Sequence, residues 1–499
     1  MISLPMRYFA DKMSNPASST ALILMLVGSL AIGAIVVESG GQIVLGGVFL
    51  AVLGVTLLTF YRLDLGYLLW IGLVMISDNY GIPGFTSITY SLKYLETLNV
   101  AFPGLGIGVL APFELHMILI LFAMFVIGAI KKDLRWEHVA LPVVALLFFG
   151  WLIVSLVYGK SRGGDLQMGI WEIRALVFFG ITFFLTPQII KTREQLEGLV
   201  WVLIVVISFK AFQAVERFAE LGFDFAGHRA LANHEDPVFI VTLWILQLGL
   251  VFFGGNPKQR KTLLALMPLL VVAFYVANRR ATYASLAACF VGFIVLLSQS
   301  ERNRIKRGLL VFAVLFSVYL TVYWDSYGRM AQVAQAVKST VFSDDRDKIS
   351  GTDFASALAR DHENYDLAVT LQKAPIMGIG FGNKHEWAIP AYGAYALKGY
   401  ITHNQIMWLI TKTGAIGFFF FLFFLDLVVF RGSIAVSTFK DPYLRAVAVV
   451  AILAIANQIV ISYVDMQLTF YRNMVYLGTL TGLLPTLERL DSSATTSAG

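Results

Sequence analysis

The sequence predicts an all-α polytopic membrane protein, with about 12–14 transmembrane helices and one large helical loop outside the bilayer. Three observations carry that prediction. Of 499 residues, 58% are hydrophobic and only 14% charged, where soluble domains carry about a quarter charged residues. Apolar runs of bilayer-spanning length recur along the chain. One polar stretch, Asp325 to His403, interrupts the second half. The expected organisation is therefore a membrane bundle over 1–324, an external helical loop over 325–403, and C-terminal membrane helices with a short cytoplasmic tail over 404–499. The single cysteine, Cys289, lies in an apolar run, which excludes a disulfide framework and a cysteine-type zinc site.

The elements follow in order. Met1 to Ser19 is polar and slightly basic, and the apolar run behind it lacks a small-residue cleavage site, so a retained first helix is expected. Apolar runs mark spans near 20–37, 43–60, 64–77, 113–130, 138–157, 170–189, 197–215, 237–254, 262–277, 280–298, 308–324, 404–430, 445–463 and 468–486. With the N-terminus inside, Lys131-Lys132-Arg135, Lys191-Arg193, Lys258-Arg260-Lys261, Arg302 to Arg307 and Arg431-Lys440-Arg445 all face the cytoplasm. The exception is Asn278-Arg279-Arg280, a tight turn on the outer side. Two arginines there need neutralisation by lipid headgroups, a nearby carboxylate or an anionic ligand, and the planar guanidinium suits phosphate.

In the external loop, Met330, Val333, Val337 and Val341 mark one helix. A second carries Phe354, Leu358, Tyr365 and Val369, with Asp353 in its first turn and Pro375 beyond its end. Arg360 and Glu363 share the polar side of the second helix at i and i+3, the spacing of a surface pair. Asp345-Arg346-Asp347 reads as a solvated charge run rather than a metal–nucleotide site. His385 and the turn Gly378-Ile379-Gly380-Phe381-Gly382 follow, with Phe381, Trp387, Tyr392, Tyr395 and Tyr400 suited to sugar stacking or interface anchoring. Thr402 and Gln405 have capping-box spacing, which would put His403 in the first turn of the next span. The positive helix end would then favour anions nearby and an imidazole able to act as a base. Lys412, Gly414 and Gly417 suggest a break before the main span 415–430.

These motifs, His403-Asn404, Gly414-Ala415-Ile416-Gly417, Pro375 to Gly382 and Asn278-Arg279-Arg280-Ala281, resemble those of the O-antigen ligase and O-antigen polymerase superfamily, best over about 270–420. The resemblance implies a GT-C-like membrane glycosyltransferase without metal or other cofactor. The donor would be an oligosaccharide on undecaprenyl diphosphate, and the acceptor a glycan or a lipid A core, joined at the periplasmic face of the bacterial inner membrane. Membrane lipids and polysaccharide assembly proteins are its expected partners, and nucleic acid is not. It assigns the diphosphate to Arg279 or Arg280 and to Arg360, and acceptor activation to His403. Asn404 would sit beside it, and Arg229 and Arg174 are further substrate-side candidates. Arg174, in Glu172-Ile173-Arg174, opens a span, with its partner expected elsewhere than at Glu172. His228 and Asn233 to Asp236 fall in another external loop, and Lys210 and Arg472 are intramembrane cations of no assigned role. The competing class is a lipid-linked glycan flippase or exporter, which would line a central path with cations. Between polymerase and ligase the long aromatic loop inclines the reading to polymerase.

Overall fold

The computed structural model describes residues 43–101, 110–132, 137, 139, 141–228, 230–326, 328–342, 350–389 and 397–497. Among these residues every regular element is helical. The helices are α1 Ile43–Tyr61, α2 Leu63–Ile76, α3 Ile88–Ser91, α4 Leu98–Ala101, α5 Pro112–Lys131, α6 Pro142–Ser161, α7 Leu166–Ile189, α8 Arg193–Glu220 and α9 Asp236–Phe252. There follow α10 Pro257–Ala277, α11 Arg280–Leu296, α12 Gln299–Tyr323, α13 Gln332–Val341, α14 Gly351–Lys373, α15 Gln405–Thr438, α16 Pro442–Ser462, α17 Tyr471–Gly482 and α18 Leu484–Ser497. Among the described residues eight of these, α5, α6, α7, α8, α10, α12, α15 and α16, are long and apolar enough to cross a membrane. The protein is an all-α polytopic membrane protein.

The described part of each apolar run expected between 43 and 463 lies mainly on a helix, and the run 20–37 lies outside the described residues. The run 468–486 does not form one span. It breaks at Leu483 into α17 and α18, because Pro485 has no N–H to continue the helix. Both loop helices form, as α13 and α14.

The contacts divide the chain into two units, one from Met1–Trp70 and Glu114–Leu134, the other from Ile71–Phe113 and Arg135–Gly499. In the first, the Phe60 and Phe122 rings meet edge to face at 6.1 Å. The second holds all the functional candidates described here. Its centre is α16, largely apolar and buried on most of its surface, which packs on α9, α11 and α15. Around it α7 packs on α17, α6 on α7 and α15, and α14 on α15. At the predicted cytoplasmic end, ion pairs Arg193–Asp441 (2.8 Å), Arg445–Glu301 (2.7 Å) and Arg431–Glu488 (2.5 Å) tie neighbouring helix ends together.

Candidate active site

The site begins with how α15 starts. Its N-cap is Asn404, not Thr402: the Asn404 side chain accepts from the Met407 N–H at 3.1 Å. Gln405 turns back and donates to the Thr402 carbonyl at 2.8 Å instead of closing a capping box. Asparagine is the stronger cap, so the helix starts two residues later than the spacing suggests. His403 therefore stands just outside the first turn, and the helix dipole is not what orients it.

Glu363 does that. His403 Nδ1 lies 2.9 Å from Glu363 Oε2 and 3.1 Å from Oε1, and its backbone N–H donates to Oε2 at 3.1 Å. An ionised carboxylate only accepts, so Nδ1 carries the proton and Nε2 is the basic nitrogen. Asn404 Nδ2 donates to Asn364 Oδ1 at 2.9 Å, so consecutive residues of α14 hold consecutive residues ahead of α15. The expected Arg360–Glu363 pair is replaced by this arrangement.

Arg360, one turn earlier on α14, donates from Nε to the Val464 carbonyl at 3.1 Å and from Nη1 to Ser356 Oγ at 2.9 Å. Burial and then the charge of Arg280 push its pKa down, Arg279 adds to this, and Asp465 and Glu363 oppose it. The charges of Arg279, Arg280, Glu363 and Asp465 are thus all within electrostatic reach of Arg360. His234 Nδ1 is 2.9 Å from Asp465 Oδ2. Burial raises the Asp465 pKa, but the His234 hydrogen bond and the charges of His234 and Arg279 hold it well below the usual carboxylate range.

The Asn278 turn is built for this. Asn278 adopts a left-handed conformation at the C-cap of α10, Arg279 is the N-cap of α11, and Gln332 of α13 bonds the Asn278 side chain. The 233–236 loop is anchored from beneath by a buried charge cluster. Lys210 Nζ lies 2.6 Å from Asp78, Arg472 Nη2 lies 2.7 Å from Asp236, and Arg472 Nη1 lies 3.6 Å from Glu235.

The glycine-rich turn is a strap across the broken helix. Gly414 leaves helical geometry at φ 68°, ψ −176°. The freed Ala415 and Ile416 N–H groups donate to the Pro375 and Ile376 carbonyls, at 2.9 and 3.3 Å. Ile379 and Gly380 N–H return bonds to the Thr411 and Lys412 carbonyls, at 2.9 and 3.0 Å. Gly378, Gly380 and Gly382 all have positive φ (70°, 77° and 85°), and a Cβ on Gly380 would overlap the Gly159 backbone. Irregular backbone at membrane depth needs such internal partners. Lys412 and Glu172 close the strap from either side. They form a fully buried 2.6 Å ion pair, with Gly382 N–H donating to Glu172 Oε2 at 2.6 Å and Lys412 bonding the Asn383 carbonyl. Glu172 therefore lies nearly two turns inside α7 instead of opening it.

Of the remaining candidates, Arg174 is half-buried with its guanidinium 5.9 Å from the Tyr471 ring centre. Arg229, Asp345 to Asp347, Tyr392 and Tyr395 lie outside the described residues. Phe381 is buried against Trp408 at 5.8 Å, so it packs the strap and does not offer a sugar platform. Trp387 is exposed, with Lys398 Nζ 5.1 Å from its ring. His385 is buried in the strap's extension, and burial and the Lys412 charge push its pKa down. Sequence reasoning did not find Asp465 or the Lys412–Glu172 pair. Asp465 had a signal: it is the first charged residue after α16, on the predicted outer side.

Residues 264–422 match the family described as O-antigen ligase. Over this stretch the chain is similar to the O-antigen ligase and polymerase superfamily. The matched region contains Arg279, Arg280, Arg360, Glu363 and His403, while His234 and Asp465 reach it from outside. A comparison with curated proteins finds no match.

Proposed function

We propose that this chain is a membrane glycosyltransferase. It moves a glycan from undecaprenyl diphosphate to a sugar hydroxyl at the periplasmic face of the inner membrane. The observation that carries this reading is the His403–Glu363 pair beside Arg360, with Arg279 and Arg280 within electrostatic reach of Arg360. The guanidiniums hold the diphosphate and neutralise the charge that grows as the glycosidic bond breaks. His403 Nε2 takes the acceptor hydroxyl proton, and Glu363 stabilises the resulting imidazolium. The hydroxyl oxygen bonds the anomeric carbon as the bond to diphosphate oxygen breaks on the opposite face, inverting the centre. Arg174 and Arg229 remain candidates for holding the glycan. A flippase has no use for an imidazole fixed by a carboxylate.

The test uses protein in lipid nanodiscs with a lipid-linked oligosaccharide donor and an acceptor, and follows release of undecaprenyl diphosphate. The expected release requires acceptor, survives chelator and is lost in His403→Ala. A polymer as product assigns polymerase, and a glycan joined to a different carrier assigns ligase. Transport of intact donor without release would move the chain to the flippase class.

A further inference from the structure

The second half of α15 carries a charge with no ion-pair partner among the described residues. From Ala415 to Phe430 the only polar side chain is Asp426. It is exposed, and among the described residues it has no ion-pair or hydrogen-bond partner. It lies in a stripe with Phe419, Leu422, Phe423, Phe430 and Ile434, all exposed and all on one face at helical spacing. The Phe419 and Phe423 rings stack at 5.6 Å, while Phe421, Phe424, Leu425 and Val428 on the other face are buried. A carboxylate turned toward hydrocarbon is costly, and intramembrane charges generally pair.

Among the described residues, five lysines and arginines inside the bundle are already engaged. Lys210, Arg472 and Lys412 hold buried carboxylates, Arg217 bonds the Leu231 carbonyl and Arg174 lies over Tyr471. The apolar run 20–37 contains no lysine, arginine or histidine. A second copy turned on this face about a twofold axis would bring Asp426 against Asp426. We propose that this stripe docks a transmembrane helix of another protein, one carrying a lysine or arginine at the depth of Asp426. Charge complementarity selects the occupant, and the stacked phenylalanines supply the packing surface.

The test uses full-length protein in nanodiscs with two dye-labelled synthetic helices, a polyleucine span with one lysine placed at the depth of Asp426, toward its cytoplasmic end, and the same span without it. Energy transfer from labelled protein reports association. The lysine helix is expected to associate about tenfold more tightly than the all-leucine helix, the scale of an interhelical polar contact in lipid. Asp426→Asn removes the preference, and Asp426→Lys transfers it to a helix with an aspartate at the same depth. Equal association of both helices with folded wild type overturns the proposal, as does a lysine preference that survives Asp426→Asn. Self-association of wild type that Asp426→Asn abolishes replaces the partner by a second copy. Asp426 is remote from His403, so glycan transfer by the variant stays at the wild-type level and separates this test from that of the function.

Discussion

Glu363→Gln isolates the role of the carboxylate beside His403. Wild-type Glu363 takes two hydrogen bonds, from His403 Nδ1 at 2.9 Å and from the His403 backbone at 3.1 Å. Glutamine keeps the size but can donate its amide N–H to Nδ1. That would leave the proton on Nε2, where it blocks the base. Two losses combine. A hydrogen bond to a charged group contributes about 1.5–3 kcal/mol, and at 1.36 kcal/mol per decade this is roughly 10–200-fold in rate. The tautomer loss adds to it, and the corresponding Asp→Asn change in a serine protease triad costs about 10⁴ in kcat. The expected fall in kcat is therefore between about 10²- and 10⁴-fold, with KM for the donor nearly unchanged because the arginines remain. Glu363→Asp recovers part of it. The assay is steady-state release of undecaprenyl diphosphate in nanodiscs, with thermal unfolding as the check on folding. A folded Glu363→Gln protein turning over within about threefold of wild type would refute the dyad.

Three further outcomes follow from the same geometry. Arg360→Lys keeps the charge but loses the planar fork, so kcat/KM should fall roughly 10–100-fold while the melting temperature holds; an unchanged kcat/KM would remove Arg360 from the diphosphate site. Glu172→Leu strands the buried Lys412 ammonium and should cost roughly 3–5 kcal/mol, read as a lowered melting temperature that Glu172→Leu with Lys412→Met restores; equal melting of single and double variants would contradict this. Burial, then the Lys412 charge, holds the His385 pKa down, so the unfolded chain binds this proton at a higher pH than the folded one. Its contribution is fully present above about pH 6.5 and is lost as pH falls below it; His385→Gln should flatten the loss of melting temperature between about pH 7 and 5, and parallel curves would show that His385 is not responsible.

Much of the fold was legible because lipid imposes a strong rule. Backbone groups must pair within a helix, so a long apolar run is enough to place one. The run 468–486 reads as one span by hydropathy, and Pro485 within it is the signal of the break. The arginines and His403 were legible as charges on one predicted side of the membrane. Their partners were not, since Glu363 lies 40 residues from His403 and Asp465 lies 62 from it, and no local spacing links them. Arg360 and Glu363 misled in an instructive way: their i, i+3 spacing describes a pair, yet each turns to a different segment. The glycines after Pro375 read as a turn, but their work is to replace the backbone bonds that α15 loses at Gly414, which only the close approach of the two segments reveals.

In the proposed function, three arginines and His403 form one site on a lipid-linked diphosphate. The most direct measurement is a cryo-electron microscopy structure in nanodiscs with a non-hydrolysable lipid-linked donor analogue. The diphosphate is expected within hydrogen-bond reach of Arg360 and of Arg279 or Arg280, with His403 Nε2 facing the anomeric carbon from the opposite side. A diphosphate bound elsewhere, with Arg360 still turned to Val464 and Ser356 alone, would contradict it.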